Sequence, residues 1–207
     1  MKKEKIDSIK NFLKIQFVKL SYKFNELIIK KFGKGEIILV IDTNIWYDRS
    51  KELADTLRKP IKVLIPYIVL CELEYLQKKH SDEPQAEKIR KLKGKIAELV
   101  KSKNYNYELE KPIKFMNNDN NNNNGHNKSF INDQLIIKCA KKQAELGNIV
   151  FLLSNDSLLL AYAYQESKHI PNLYAGRKEE LSIFLKNNNL ENLANDINNV
   201  FDKTLND

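Results

Sequence analysis

The sequence has 207 residues, of which 42% are hydrophobic and 30% are charged, and its formal net charge is +8. This length and composition predict one soluble globular domain with an extension, and 6 Gly and 5 Pro exclude a collagen-like or Pro/Gly-rich disordered chain. The 2 Cys exclude a disulfide scaffold, and the longest apolar runs are far below the roughly 18 residues of a membrane span. Both Cys lie in apolar segments, which indicates reduced thiols in an intracellular protein: cytoplasm or nucleus is favoured, and a mitochondrial location stays open.

Residues 1–35 are strongly basic. They contain ten Lys against only Glu4, Asp7 and Glu26, so they carry a net charge of +7. Apolar residues recur between these charges at helical spacing, which predicts a basic amphipathic helix that ends near Gly33. Three interpretations stay open: a helix that packs on the domain, an arm that holds RNA, and a helix that binds a protein partner or a membrane surface.

The rest of the chain alternates between short apolar runs and amphipathic segments. Strands are predicted at 36–41, 61–65, 105–109, 149–153 and 172–175. Helices are predicted at 50–59, 67–79, 84–103, 131–146, 157–167 and 178–186, with a short one near 190–201. This alternation predicts an α/β fold, a three-layer α/β/α sandwich with a mostly parallel central sheet.

Three regions follow from this pattern after the N-terminal extension. The α/β domain is expected at 36–186, and it contains an Asn-rich insertion at 117–127 that cannot form a core and is predicted to be disordered. Residues 187–207 form an Asn-rich C-terminal tail.

Four acidic residues stand out against apolar surroundings. Asp42 and Asp156 follow predicted strands, so they are expected at the carboxyl edge of the sheet, where ligands bind in open α/β folds. Glu72 and Asp133 lie early in two of the predicted helices. Each acid has a simpler explanation, such as a turn for Asp42, a helix cap for Asp156 or a favourable dipole for Asp133. As a set, four converging carboxylates need a divalent cation such as Mg²⁺, which prefers oxygen ligands.

Four runs carry a resemblance to a known family: ILVIDTNIW, VLIPYIVLCELEYL, FINDQLIIKCA and IVFLLSNDSLLLAYA. Together they resemble the PIN domain over residues 36–185, and more narrowly its eukaryotic-type branch of nonsense-mediated decay and RNA-surveillance endonucleases. The resemblance implies that Asp42, Glu72, Asp133 and Asp156 are the catalytic residues and hold Mg²⁺ or Mn²⁺.

The resemblance also implies a set of polar residues that orient these ligands. Asn44 and Ser154 match residues that hold the first Asp, and Asn132 matches the Asn that precedes the third acid. Asn155 stands where several relatives have a further acid, which makes this site less negative. Such neighbours fix the orientation of metal ligands.

The activity implied is hydrolysis of phosphodiester bonds in single-stranded RNA by a PIN-type endoribonuclease. The alternative is a non-catalytic PIN-type RNA-binding or scaffold subunit of a ribonucleoprotein particle, docked by its basic N-terminal helix. A toxin of a toxin–antitoxin pair is disfavoured, because such chains are usually shorter and lack a basic arm.

Possible RNA contacts lie in two places. Trp46 could stack on a base, although core packing is the competing interpretation. Four cations in the second basic helix could bind phosphates, although a solvated helix face explains them equally well: Arg90, Lys91, Lys93 and Lys95. The absence of HExxH and CxxC patterns argues against a zinc site.

Overall fold

The protein is represented by a computed structural model, which describes residues 35–57, 61–80, 84–102, 106–111 and 125–202. Contacts divide the chain at Gly35, and only the unit Glu36–Asp207 is described below. The predicted N-terminal helix and residues 117–124 of the Asn-rich insertion lie outside the described residues.

Five strands form one sheet in the order β3-β2-β1-β4-β5, and every pair is parallel. The strands are β1 (Ile37–Ile41), β2 (Lys62–Ile65), β3 (Tyr107–Leu109), β4 (Ile149–Leu153) and β5 (Leu173–Gly176). β1 and β4 are uninterrupted apolar runs because both lie in the middle of the sheet and are covered on both faces. From β1 the chain first adds β2 and β3 on one side. It then returns to the other side of β1 and adds β4 and β5. The strand order therefore reverses between β1 and β4.

Seven helices accompany the sheet among the described residues: α1 (Thr43–Thr56), α2 (Tyr67–Lys79), α3 (Pro84–Lys101), α4 (Gly125–Glu145), α5 (Ser157–Ser167), α6 (Lys178–Asn187) and α7 (Glu191–Asp202). α4 packs on β1, β4 and β5 and contacts α5, while α6 packs on β4 and β5 and contacts α7. α2 and α3 pack on each other. The predicted fold, a three-layer α/β/α sandwich, is thereby confirmed. None of the described helices is both long and apolar enough to cross a membrane.

Two helices begin earlier than their sequence pattern predicts. α1 starts at Thr43 rather than at residue 50, because Ile45 and Trp46 are buried on its inner side and bind it to the core. α4 starts at Gly125 rather than at residue 131, so residues 125–127 of the predicted disordered insertion are helical. In α1 the burial of Ile45 and Trp46 outweighs the polar composition of the first turns.

The C-terminal helix α7 packs on the domain. Ala194 and Ile197 are fully buried, and α7 contacts both α6 and α1. A polar contact also joins α7 to α6, because Asn198 Nδ2 donates a hydrogen bond of 2.9 Å to Ser182 Oγ. Residues 191–202 therefore contribute to the core rather than extending away from it.

We expect Ile197→Ala to lower the free energy of unfolding by about 2–4 kcal/mol, because it leaves a cavity between α7 and its neighbours. Urea denaturation of the full chain would measure this, with Asn195→Ala on the exposed side of α7 as the control. Equal stability of the two variants would show that α7 does not pack on the domain in solution.

Candidate metal centre

The candidate site lies at the carboxyl edge of the sheet, between β1 and β4. The register pairs Ile41 with Leu153, and the N–H of Asp42 donates to the carbonyl oxygen of Leu153 at 3.0 Å. Asp42 and Ser154 are therefore the first residues beyond two neighbouring strands. This is the crevice where strand order reverses, the usual ligand site of open parallel sheets.

Asp42 is buried and held at both oxygens. The N–H of Thr43 donates to Oδ1 at 2.6 Å, and Ser154 Oγ donates to Oδ2 at 2.6 Å. The carboxyl is only 5% exposed. Its pKa is raised from 3.8 to about 6, chiefly because burial disfavours the charged form, while the two hydrogen bonds act in the opposite direction and the charges of Glu72 and Asp156 add to the rise.

Glu72 reaches the same region from α2 and is bound on both sides. Asn132 Nδ2, on α4, donates to its Oε1 at 2.7 Å, and the hydroxyl of Thr43, on α1, donates to its Oε2. One carboxylate thus links three helices. The predicted role of Asn132 in orienting a metal ligand stays a prediction; its observed partner is Glu72. Thr43 was not singled out by the sequence, and its position directly after Asp42 is the only signal that could have found it.

Ser154 connects Asp42 to Asp156. Its hydroxyl donates to Asp42 and accepts the N–H of Asp156 at 2.9 Å, and its exposed fraction is 0%. Asn44 Nδ2 lies 3.5 Å from the same oxygen, and the backbone N–H of Asn155 lies 3.4 Å from Asn44 Oδ1. Ser154 therefore bonds Asp42 directly, whereas Asn44 contacts Ser154 and not Asp42. Asn155 contributes only its backbone N–H to this network, and it is an exposed residue.

Asp156 is the N-cap of α5. Its Oδ1 accepts hydrogen bonds from the N–H groups of Leu158 at 2.7 Å and Leu159 at 3.1 Å. The capping explanation is thus correct for this residue. It does not exclude metal binding, because both bonds use Oδ1 and leave Oδ2 for another ligand.

Asp133 completes the group from α4. Its pKa is raised from 3.8 to about 7, first by burial and then by the charges of Asp156, Asp42 and Glu72. No hydrogen bond from a described residue offsets these effects. The negative charges of the three other predicted acids therefore act on Asp133, so the four carboxyl groups lie within reach of one another's charge.

The donor chemistry of this site fits a hard divalent cation. All four side chains offer oxygen ligands, and their mutual repulsion is what a cation such as Mg²⁺ or Mn²⁺ would offset. Within the described part of the chain, however, no three Asp, Glu, His or Cys side chains are close enough together to hold one ion. The residues present fit the ion by their chemistry, and side-chain rotation would have to bring the oxygens together.

The prediction that Trp46 stacks on an RNA base is wrong. Its side chain is 0% exposed and packs against Tyr107, with ring centroids 6.2 Å apart. An aromatic residue four positions after the first acid lies on the inner side of α1 and belongs to the core.

The four predicted basic residues of α3 lie on its surface, and each has a partner. Arg90 is ion-paired with Glu87, and Lys91 Nζ lies 3.8 Å from the same carboxylate. Lys95 Nζ lies 3.7 Å from Glu98, and Lys93 donates to Gln77 at 3.2 Å. Their role in binding RNA stays a prediction. Ion pairs within α3 reduce the charge that Arg90, Lys91 and Lys95 present, whereas the partner of Lys93 is a neutral residue of α2.

We expect Asp133→Asn to stabilise the metal-free protein much more at pH 8 than at pH 4.5. A carboxyl whose pKa rises on folding stabilises the fold below its unfolded pKa and loses that contribution as the pH rises toward about 7. Because Asp133 is only half-buried, screening by water limits the gain to about 1–2 kcal/mol.

Thermal unfolding in EDTA at the two pH values would check this, with the exposed Asp196→Asn as the control. An equal gain at both pH values would contradict the electrostatic origin of the effect.

A family model described as "PIN domain" matches residues 39–169, a range that includes all four acids. Among solved structures, a domain of a functionally unknown protein from Methanocaldococcus jannaschii DSM 2661 is 24% identical, with a TM-score of 0.42, and the match covers 68% of this chain and 89% of that one. VapBC2 from Rickettsia felis, bound to a DNA fragment from its promoter, is 20% identical, with a TM-score of 0.32, and the match covers 68% of this chain and 98% of that one. The curated proteins gave no match. Since the family model spans more than half of the sequence, the chain belongs to the PIN domain family.

Proposed function

We propose that the protein is a metal-dependent endoribonuclease that hydrolyses phosphodiester bonds in single-stranded RNA. PIN domains are typically metal-dependent nucleases. The observation that supports the proposal is the hydrogen-bond network around the four acids. Ser154 bonds both Asp42 and Asp156, and Glu72 bonds Thr43 and Asn132, the chain neighbours of Asp42 and Asp133. The raised pKa values of Asp42 and Asp133 agree with this proximity. A site that accumulates negative charge is suited to bind cations and, through them, phosphate.

Asp42 is the proposed anchor of the metal. Its two hydrogen bonds, from the Thr43 N–H and the Ser154 hydroxyl, fix the plane of the carboxylate. Each oxygen keeps a further lone pair that can coordinate an ion. Burial also keeps water away from the anchor, which strengthens its interaction with a cation.

Asp133 and Asp156 are the proposed further ligands, and Glu72 would hold a metal or its water. The capping bonds fix the position of Asp156, while Thr43 and Asn132 fix that of Glu72. Asp133 lacks such support and is the ligand freest to adjust when a cation arrives.

When bound, Mg²⁺ or Mn²⁺ supplies activation of a water molecule and stabilisation of the departing oxygen. The residues of the chain do not need to supply a nucleophile. The hydroxyl of Ser154, which is at the centre of the site, is buried and donates to Asp42, so it is not available for that role.

We expect Mn²⁺ to raise the melting temperature of the protein at pH 7.5, because an ion that binds only the folded state stabilises it by about 2.7 kcal/mol at 100 times its dissociation constant. Asp42→Asn should abolish most of this shift, since it removes the buried anchor. The exposed Asp196→Asn should retain it. Equal shifts in all three proteins would show that the ion binds elsewhere.

The proposed activity is tested with labelled single-stranded RNA and Mn²⁺ or Mg²⁺. We expect cleavage by the native protein that stops in EDTA, and a loss of at least about 100-fold in Asp42→Asn and Asp156→Asn, because removal of a preorganised electrostatic group at a reacting centre costs this much. Asp196→Asn serves as the matched control for the loss of one surface carboxylate.

Two outcomes would contradict the proposal. Cleavage that survives in Asp42→Asn would mean that a contaminating nuclease or another site is responsible. RNA binding without cleavage, equal in the native protein and the Asp variants, would favour the alternative of a non-catalytic RNA-binding or scaffold subunit.

A further inference from the structure

Arg177 lies beside the candidate metal centre and was not singled out by the sequence. It follows β5 directly, at the carboxyl edge of the sheet where the four acids converge. Its Nη2 donates a hydrogen bond of 2.8 Å to Ser157 Oγ. Ser157 directly follows Asp156 in the chain, so the guanidinium contacts the residue next to a proposed metal ligand.

The backbone at Arg177 is held firmly. A Cβ at Gly176 would lie 2.5 Å from the Cβ of Glu180 and 3.3 Å from Phe151, so the strand end packs closely against α6 and β4. The carbonyl oxygen of Gly176 accepts the N–H of Ser154, and the N–H of Arg177 donates to Glu180 Oε2 at 3.0 Å. The position of Arg177 relative to Ser154 is therefore set by main-chain contacts.

The guanidinium of Arg177 forms no ion pair within the described ranges, and the neighbouring carboxylate of Glu180 binds the backbone N–H of Arg177 instead. The guanidinium contacts the neutral hydroxyl of Ser157, and Arg177 is an exposed residue. Arg90 on α3, in contrast, is ion-paired with Glu87. An exposed Arg without an acidic partner keeps its donors available, and their planar fork matches a phosphate group.

A strand of RNA that reaches the candidate metal centre meets a cluster of carboxylates. Metal ions can neutralise the phosphate that they hold, but the next phosphate along the strand is repelled by the remaining negative charge. A fixed cation at the edge of the cluster offsets that repulsion. Arg177 has the position and the free charge for this task.

We propose that Arg177 binds a backbone phosphate of the RNA strand, adjacent to the phosphate held at the four carboxylates. The inference rests on the proposed nuclease function and assigns a substrate-binding residue to the same site. Arg177 contacts a phosphate that does not react, so it contributes to binding and orientation of the strand.

The test measures binding in the Asp42→Asn background, so that the RNA stays intact. Affinity for a fluorescently labelled single-stranded RNA is followed by anisotropy at several salt concentrations. We expect Arg177→Gln to weaken RNA binding about fivefold to tenfold at low salt. A plot of the logarithm of the association constant against the logarithm of the salt concentration should become less steep by about 0.7, the value for one phosphate contact on a single strand. Arg177→Lys should keep the slope but recover only part of the affinity, because it lacks the planar fork.

Lys186→Gln is the matched control. It removes the same charge from an exposed position at the other end of α6 and should change neither affinity nor slope. Equal effects of Arg177→Gln and Lys186→Gln would overturn the proposal, because they would indicate general electrostatic attraction. If Arg177→Gln failed to fold, Arg177→Lys would carry the test through the expected loss of affinity at an unchanged slope.

The outcome separates this inference from the proposed function. A native protein that does not cleave RNA, together with weaker binding in Arg177→Gln, would refute the nuclease and support the phosphate contact. Cleavage by the native protein, together with unchanged RNA binding in Arg177→Gln, would support the nuclease and refute the phosphate contact. An Asp42→Asn protein that binds no RNA at all would also overturn the role of Arg177.

Discussion

The hydrogen bond between Ser154 and Asp42 joins the two halves of the sheet at the point where the strand order reverses. Asp42 directly follows β1, the first strand of the sheet. Ser154 directly follows β4 and lies 112 residues further along the chain. Their contact depends on the parallel register of β1 and β4, since a slip by one residue would turn both side chains away from the crevice. Asp156 is in turn held through Ser154, so two of the four acids are positioned by one small hydroxyl.

This arrangement places groups together that repel each other. Burial and neighbouring charges raise the pKa values of Asp42 and Asp133 toward neutrality, so the metal-free protein is strained electrostatically at physiological pH. The surrounding hydrogen bonds reduce that strain for Asp42, and the capping bonds do the same for Asp156. Asp133 is left as the least supported member. Sites of this kind gain affinity for a cation from the repulsion that destabilises them when empty.

Much of the fold could be predicted from the sequence because its signals are local. Apolar runs without alternation marked the buried strands, and all five strands lie within a residue or two of their predicted ranges. The position of Asp42 and Asp156 beyond two such strands was enough to bring them together. Trp46 could not be assigned in this way, because a single aromatic residue near an acid has the same local pattern whether it faces the core or the solvent. The burial of Ala194 and Ile197 was equally hidden, since Asn-rich surroundings mask two apolar residues at helical spacing. The position of Arg177 near the site is visible only through its hydrogen bond to Ser157. Ser157 lies twenty residues earlier, and no local sequence pattern connects the two residues.

The packing of α7 on α1 has a consequence for how the domain forms during synthesis. α1 leaves the ribosome before its partner α7, which emerges well over a hundred residues later. At a translation rate of about 5–20 residues per second, the surface that α7 later covers stays open for several seconds or more. In that interval the partners of Ala194 and Ile197 are accessible to water and to a chaperone, and this part of the core closes only when α7 arrives.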